Sequence, residues 1–292
     1  MLVSSVSGVI VTVLASFGLL LSLFTWGIFA AYFNTPIAKA SNREMTLILL
    51  SGVTSLFVMS LVHLLEPSDA ICRFSHCGRL TVWVLCVSVL LVKTMQIVSA
   101  FQEDIILPKV KPLLAKPSTQ RAILASLAAF QMSLTIAWLD LGPPYKETTI
   151  AHLQYVSVIC KAHSSSTGKN ILLANITYGF LLSLMCTYYA FRVRNVPENF
   201  NEAKRIGFSM YILLLSVLAY YPVAFATGGW HVTVLECASN ITSALGFLLC
   251  MFAPRIYIIL FKPGQNTLLA SRAQVSNYSF QTVTTSPNTD RK

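Results

Sequence analysis

The chain has 292 residues, 55% of them hydrophobic and 11% charged, with a formal net charge of +10. A domain folded in water carries about 25% charged residues, so a soluble globular fold is excluded and the lipid bilayer is the first partner implied. The positive charges fall in loops between apolar runs, which excludes nucleic acid as a partner and makes them a topology signal.

Seven runs are long enough to cross a membrane. The first covers about Val6 to Tyr32, with nothing basic before it and Lys39 and Arg43 after it. That places the N-terminus outside and the first loop inside. Its length reads as a signal-anchor rather than a cleaved signal peptide. The second run covers about Glu44 to Leu65 and stops at Glu66-Pro-Ser-Asp69. The third runs from about Cys72 to Phe101. Its first turns carry Arg73, His76 and Arg79, three apart and so on one helix face. These three are expected to meet loop acids such as Asp69, or water; attraction of an anion is the other reading. A loop with Lys109, Lys111 and Lys116 leads to the fourth run, about Gln120 to Leu139. A polar loop from Asp140 to Lys169, containing Cys160, precedes the fifth, about Asn170 to Phe191. A short basic loop with Arg192, Arg194, Lys204 and Arg205 feeds the sixth, about Ile206 to Phe225. The seventh is about Val232 to Phe261, followed by a Ser/Thr-rich tail.

Seven crossings put the two ends on opposite sides. Fifteen of the 21 lysines and arginines then fall inside and five outside, with Lys93 within a span. That split favours the inward-facing tail. The expected fold is therefore an all-α membrane protein, a seven-transmembrane helix bundle over residues 1–263, N-terminus outside. Residues 264–292 are expected to form a disordered cytoplasmic tail. Sequons at Asn175, Asn240 and Asn277 fall in spans or inside, so none is expected to carry a glycan.

Several function classes can be set aside. No lysine occurs between Lys204 and Lys262, so a retinal Schiff base in the seventh span is excluded. No internal repeat suggests a transporter. HExxH is absent and Glu236 has no second acid at its depth, so neither enzyme chemistry, a metal centre nor a cofactor is expected. A receptor remains.

Four stretches carry a resemblance. They are Asn34-Thr-Pro-Ile-Ala-Lys-Ala-Ser-Asn-Arg-Glu44, Leu91-Val-Lys-Thr94, Pro197-Glu-Asn-Phe-Asn-Glu-Ala-Lys204 with Phe208-Ser-Met210, and Cys250-Met-Phe-Ala-Pro-Arg-Ile-Tyr-Ile-Ile-Leu-Phe-Lys-Pro263. Together they make the chain resemble the family C G-protein-coupled receptors: the calcium-sensing, metabotropic glutamate, type 1 taste and type 2 vomeronasal or olfactory group. The segment from Arg194 to Phe200 and the Cys250-Met-Phe stretch look metabotropic, whereas Leu260-Phe-Lys-Pro263 looks like the calcium-sensing and olfactory branch. The resemblance implies a plasma-membrane receptor that passes an amino-acid, cation or odorant-type signal to a heterotrimeric G protein, as a homo- or heterodimer. Members of the group carry a flytrap domain and a Cys-rich linker before the first span, and this chain shows neither. A non-signalling dimer subunit of a full-length receptor is therefore the alternative. Many members also have a Trp in the middle of the sixth span, where Val217 stands here.

The resemblance further implies a disulfide between Cys72 and Cys160. Two free thiols, or a bridge from Cys77, are the competing readings. It suggests Glu202 as partner of Lys93, an ionic lock between the third and sixth helices. The competing reading lets Lys93 snorkel to the interface and Glu202 complement a helix N-terminus. Trp83, Tyr178, Tyr220, Tyr221, Phe225, Glu236, Ser239 and Asn240 are the candidate lining of a small-molecule cavity among the helices; ordinary packing is the alternative. Lys109, Lys111, Arg192, Arg194, Asn199, Phe200 and Arg255 are the candidate G-protein contacts, against a role confined to topology.

Overall fold

The structure is a computed structural model, and it describes residues 6–33, 42–101, 114, 116–151, 155–193, 202–226 and 230–261. Seven apolar helical spans form, and each predicted run matches one to within about a turn. They are α1 (Val6–Ala31), α2 (Arg43–His63), α3 (Asp69–Phe101), α4 (Pro117–Leu141), α5 (Ser166–Arg192) and α6 (Glu202–Ala226). The seventh span is composite: α7 (Trp230–Phe247), a π-helical turn (Leu248–Phe252) and α8 (Ala253–Phe261).

The helices α3, α5 and α6 start earlier than hydropathy suggests, because polar residues belong to their first turns. The Ser165 hydroxyl accepts from the Gly168 amide at 3.0 Å and caps α5. Asp69 and Glu202 sit in the first turns of α3 and α6, where a carboxylate meets the positive end of the helix.

The bundle closes around α3. This helix packs on α2, α4 and α5 and touches α6, while α1 and α6 flank α7. Of the central stretch of α3, 67% is buried, against 22% for α4, so α3 is the post and the other helices present lipid-facing sides. Close approach to the post depends on small residues. A side chain at Gly179 in α5 would enter the ring of Trp83 on α3, and a Cβ at Gly52 in α2 would lie 2.5 Å from Cys86 Sγ. In the seventh span Pro254 has no amide to complete the ladder behind it, and the π-helical turn lies just before it.

The expected polar loop between the fourth and fifth spans is not simply a loop. It contains an antiparallel hairpin, β1 (Tyr145–Ala151) and β2 (Tyr155–Lys161), with Lys146 opposite Cys160. Two adjacent anchors tie this hairpin to the first turn of α3. Cys72 and Cys160 form a disulfide with Cα atoms 5.4 Å apart. One step across the register, the Lys146 amide donates to Asp69 Oδ1 at 2.9 Å. Asp69 and Cys72 are three residues apart and share a helix face. Asp69 therefore serves the hairpin; of the three residues expected to meet loop acids or water, His76 and Arg79 face Glu236 instead.

Of the sequon asparagines, Asn175 is fully buried in α5, where its side-chain oxygen accepts from Gln131 at 2.9 Å. Asn240 is buried in α7. Asn277 and the tail from residue 262 lie outside the described residues.

Two expectations can be measured. Alkylation of denatured, unreduced protein should label five of the seven cysteines, and reduction should release the other two; seven labelled thiols without reductant would remove the bridge. Gly179→Val should destabilise the bundle by about 1–3 kcal/mol through overpacking, read as a lower unfolding temperature in detergent. An unchanged temperature would mean that α5 does not sit this close to α3.

Candidate functional site

Two charge junctions stand at opposite ends of α3. The first lies near the hairpin end. Glu236 of α7 is 2% exposed and is surrounded by cations and imidazoles from two other helices. Arg79 Nε on α3 approaches Glu236 Oε1 to 2.5 Å, His63 Nε2 at the end of α2 lies 3.2 Å from Oε2, and His76 Nδ1 on α3 lies 3.4 Å from Oε1. The two imidazoles meet edge to face with centroids 4.7 Å apart. The Arg79 guanidinium also sits 5.8 Å from the ring centroid of Tyr220 on α6. Four helices thus converge on one carboxylate. A charge buried this deeply in an apolar bundle is tolerated only when it is paired, so Glu236 and Arg79 require each other.

The second junction lies at the other end of the bundle. Lys93 is 3% exposed, with Nζ donating to Glu202 Oε1 and to Thr46 Oγ1 of α2, both at 3.1 Å. Arg255 Nη2 of α8 donates to the same Glu202 oxygen at 2.6 Å. Glu202 therefore bridges α3, α6 and α8, and it faces two cations. Arg255, one of the candidate G-protein contacts, is 5% exposed and belongs to this junction, carried there by the helix that resumes after the π-helical turn.

The candidate cavity residues divide. Tyr220 and Glu236 belong to the first junction, and Tyr221 stacks edge to face on Tyr220. Asn240, one turn along α7, donates to Leu56 O and Ser60 Oγ of α2, both at 3.0 Å. Ser239 donates to Ser216 O on α6 at 3.2 Å. These three hydrogen bonds tie α7 to α2 and α6. Trp83 is buried against Gly179. Tyr178 faces away from the junction: its hydroxyl donates to Leu127 O at 3.1 Å and its ring meets Phe130 of α4. The Phe225 side chain lies outside the described residues, as do Lys109, Lys111, Arg194, Asn199 and Phe200. Arg192 is exposed at the end of α5.

His63 was not singled out from the sequence, and the pairing of His76 and Arg79 with Glu236 was missed. The available signal was a set of ionisable groups inside three different spans. Nothing in their spacing joins residues 63, 76 and 236. Glu236→Gln should leave Arg79 without its counter-charge and cost about 3 kcal/mol, measured as loss of thermal stability in detergent. A change within experimental error would mean that the Arg79–Glu236 pair is not formed.

Residues 1–255 match a family profile described as "7 transmembrane sweet-taste receptor of 3 GCPR". The chain is similar to the extracellular calcium-sensing receptor of Mus musculus, 33% identical over 292 residues, covering 98% of this chain and 26% of the relative. It is similar to that of Homo sapiens at 34% over 277 residues, covering 94% and 25%. The chain spans about a quarter of the length of these relatives.

Proposed function

This chain belongs to family C of the G-protein-coupled receptors, multi-pass proteins of the plasma membrane, and on that premise we propose that it is the membrane core that carries an extracellular signal to a heterotrimeric G protein. The hairpin end faces outward and the Glu202 end faces the cytosol. The distribution of lysine and arginine along the chain supports that orientation. Among amino-acid, cation and odorant-type signals, similarity to calcium-sensing receptors favours a cation. The chain acts paired with a second copy or with another family C receptor.

One observation carries the reading. A single carboxylate, Glu202, holds the start of α6 to the last third of α3 and to the last helical segment. This is an element with two available states. With Glu202 in place, Lys93 and Arg255 are bridged and the helices stay together. With Glu202 displaced, two buried cations face each other at short range and α6 is driven outward. A signal that favours the second packing shifts the population toward it. Movement of α6 would expose the face next to Arg192 and Lys204 and present the loops carrying Lys109, Lys111, Arg194, Asn199 and Phe200 to the G protein.

Basal nucleotide exchange on purified G protein by the chain in lipid nanodiscs provides the test. Glu202→Ala should raise basal exchange several-fold, and Lys93→Ala should raise it by less, because Arg255 still holds the carboxylate. Unchanged or lower basal exchange in well-expressed, correctly folded variants would remove the resting-state role of this junction.

A further inference from the structure

We propose that His63, His76 and Glu236 form a binding site for a divalent first-row transition-metal ion, with Zn2+ as the type, joining α2, α3 and α7 near the hairpin end. Nothing in the spacing of residues 63, 76 and 236 points to one, since each donor comes from a different helix. In the fold, one ligand atom from each residue lies within 4.8 Å of the others, and all three residues are buried.

The spacing matches the chemistry. Zn2+ bound tetrahedrally at about 2.0–2.1 Å from nitrogen and oxygen places its ligand atoms about 3.4 Å apart. The two histidine–carboxylate gaps are 3.2 and 3.4 Å. The two gaps run to different carboxylate oxygens, Oε2 for His63 and Oε1 for His76, so one edge of the tetrahedron is already set and the second imidazole has to shift toward the shared oxygen. His76 presents Nδ1 to the carboxylate, and Glu236 Oε1, which it faces, is buried with no hydrogen-bond partner. Two imidazoles and one carboxylate suit Zn2+ and its neighbours rather than Ca2+ or Mg2+, which take mainly oxygen ligands. Three protein ligands leave a fourth position for water or a small anion.

Arg79 sets the condition for loading. Its guanidinium occupies the same carboxylate, at 2.5 Å, so metal and arginine compete for Glu236. Of the four side chains Arg79 is the most exposed, at 15%, and it already lies against the Tyr220 ring. It can leave the carboxylate and keep a partner there. The site therefore has two states, one closed by Arg79 and one by metal. The metal state ties α2 and α3 to α7 and stabilises the helix packing seen here.

Titration of the purified full chain in nanodiscs with Co2+, followed by its visible d–d absorption, tests this without any signalling readout. Zn2+ displacement then reports on the intended metal. The expected result is saturable one-to-one binding with a tetrahedral spectrum. His63→Gln and His76→Gln should each weaken it more than about tenfold, whereas His163→Gln, in the segment after β2, should not. Arg79→Gln should strengthen it, and that gain cannot come from a misfolded protein. A wild-type titration with no saturable tetrahedral spectrum would overturn the site, as would binding that survives both histidine substitutions or is lost in Arg79→Gln protein of normal thermal stability.

Discussion

A carboxylate buried among lipid-facing helices has no water to turn to, so the protein must supply its counter-charge. Glu236 is one such carboxylate; Glu202, 26% exposed, stands near the opposite end of the same bundle, and each takes a cation from α3. Arg79 and Lys93 are fourteen residues apart on that helix, about 21 Å along its axis at 1.5 Å per residue. The central helix is thus fixed to α7 at one level and to α6 and α8 at another. The seven-helix packing depends on both attachments, because releasing either leaves charge stranded in an apolar interior.

The hairpin extends the same post upward. The disulfide at Cys72 and the Asp69 carboxylate fasten it to the first turn of α3, about two to three turns before the cation at Arg79. A displacement of the hairpin would act on a rigid, mostly buried helix rather than on a flexible loop. At the far end that helix meets a junction where one carboxylate serves two cations. Between the two junctions, the crowded contacts of Trp83 with Gly179 and of Gly52 with Cys86 hold the helix tightly against α5 and α2.

Hydropathy and loop charge made the seven spans legible, because lipid imposes a minimum run of apolar residues that a single sequence displays directly. The pairing of Lys93 with Glu202 was suggested by family resemblance and not by the residues alone, which also allowed a snorkelling lysine. The hairpin was not legible. Its strands lie in a stretch whose polar content reads as loop, and part of what holds it, Asp69 and Cys72, belongs to another element. The Glu236 cluster was invisible for a related reason: residues 63, 76 and 236 meet only through tertiary packing, and no periodicity along one helix can reveal a convergence of three. Arg255 looked like a topology charge because its place near the end of the last span is where such charges occur. Only the course of the backbone past Pro254 turns it inward.

The central claim is that Lys93 and Glu202 act on the helix packing through each other. A double-mutant cycle of Lys93→Met and Glu202→Gln, with basal nucleotide exchange as the readout, tests it most directly. If the two residues are coupled, adding Lys93→Met to Glu202→Gln should change basal exchange far less than Lys93→Met does in the parent chain. If the two effects multiply as independent substitutions do, the residues do not hold each other, and the account of the resting state is wrong.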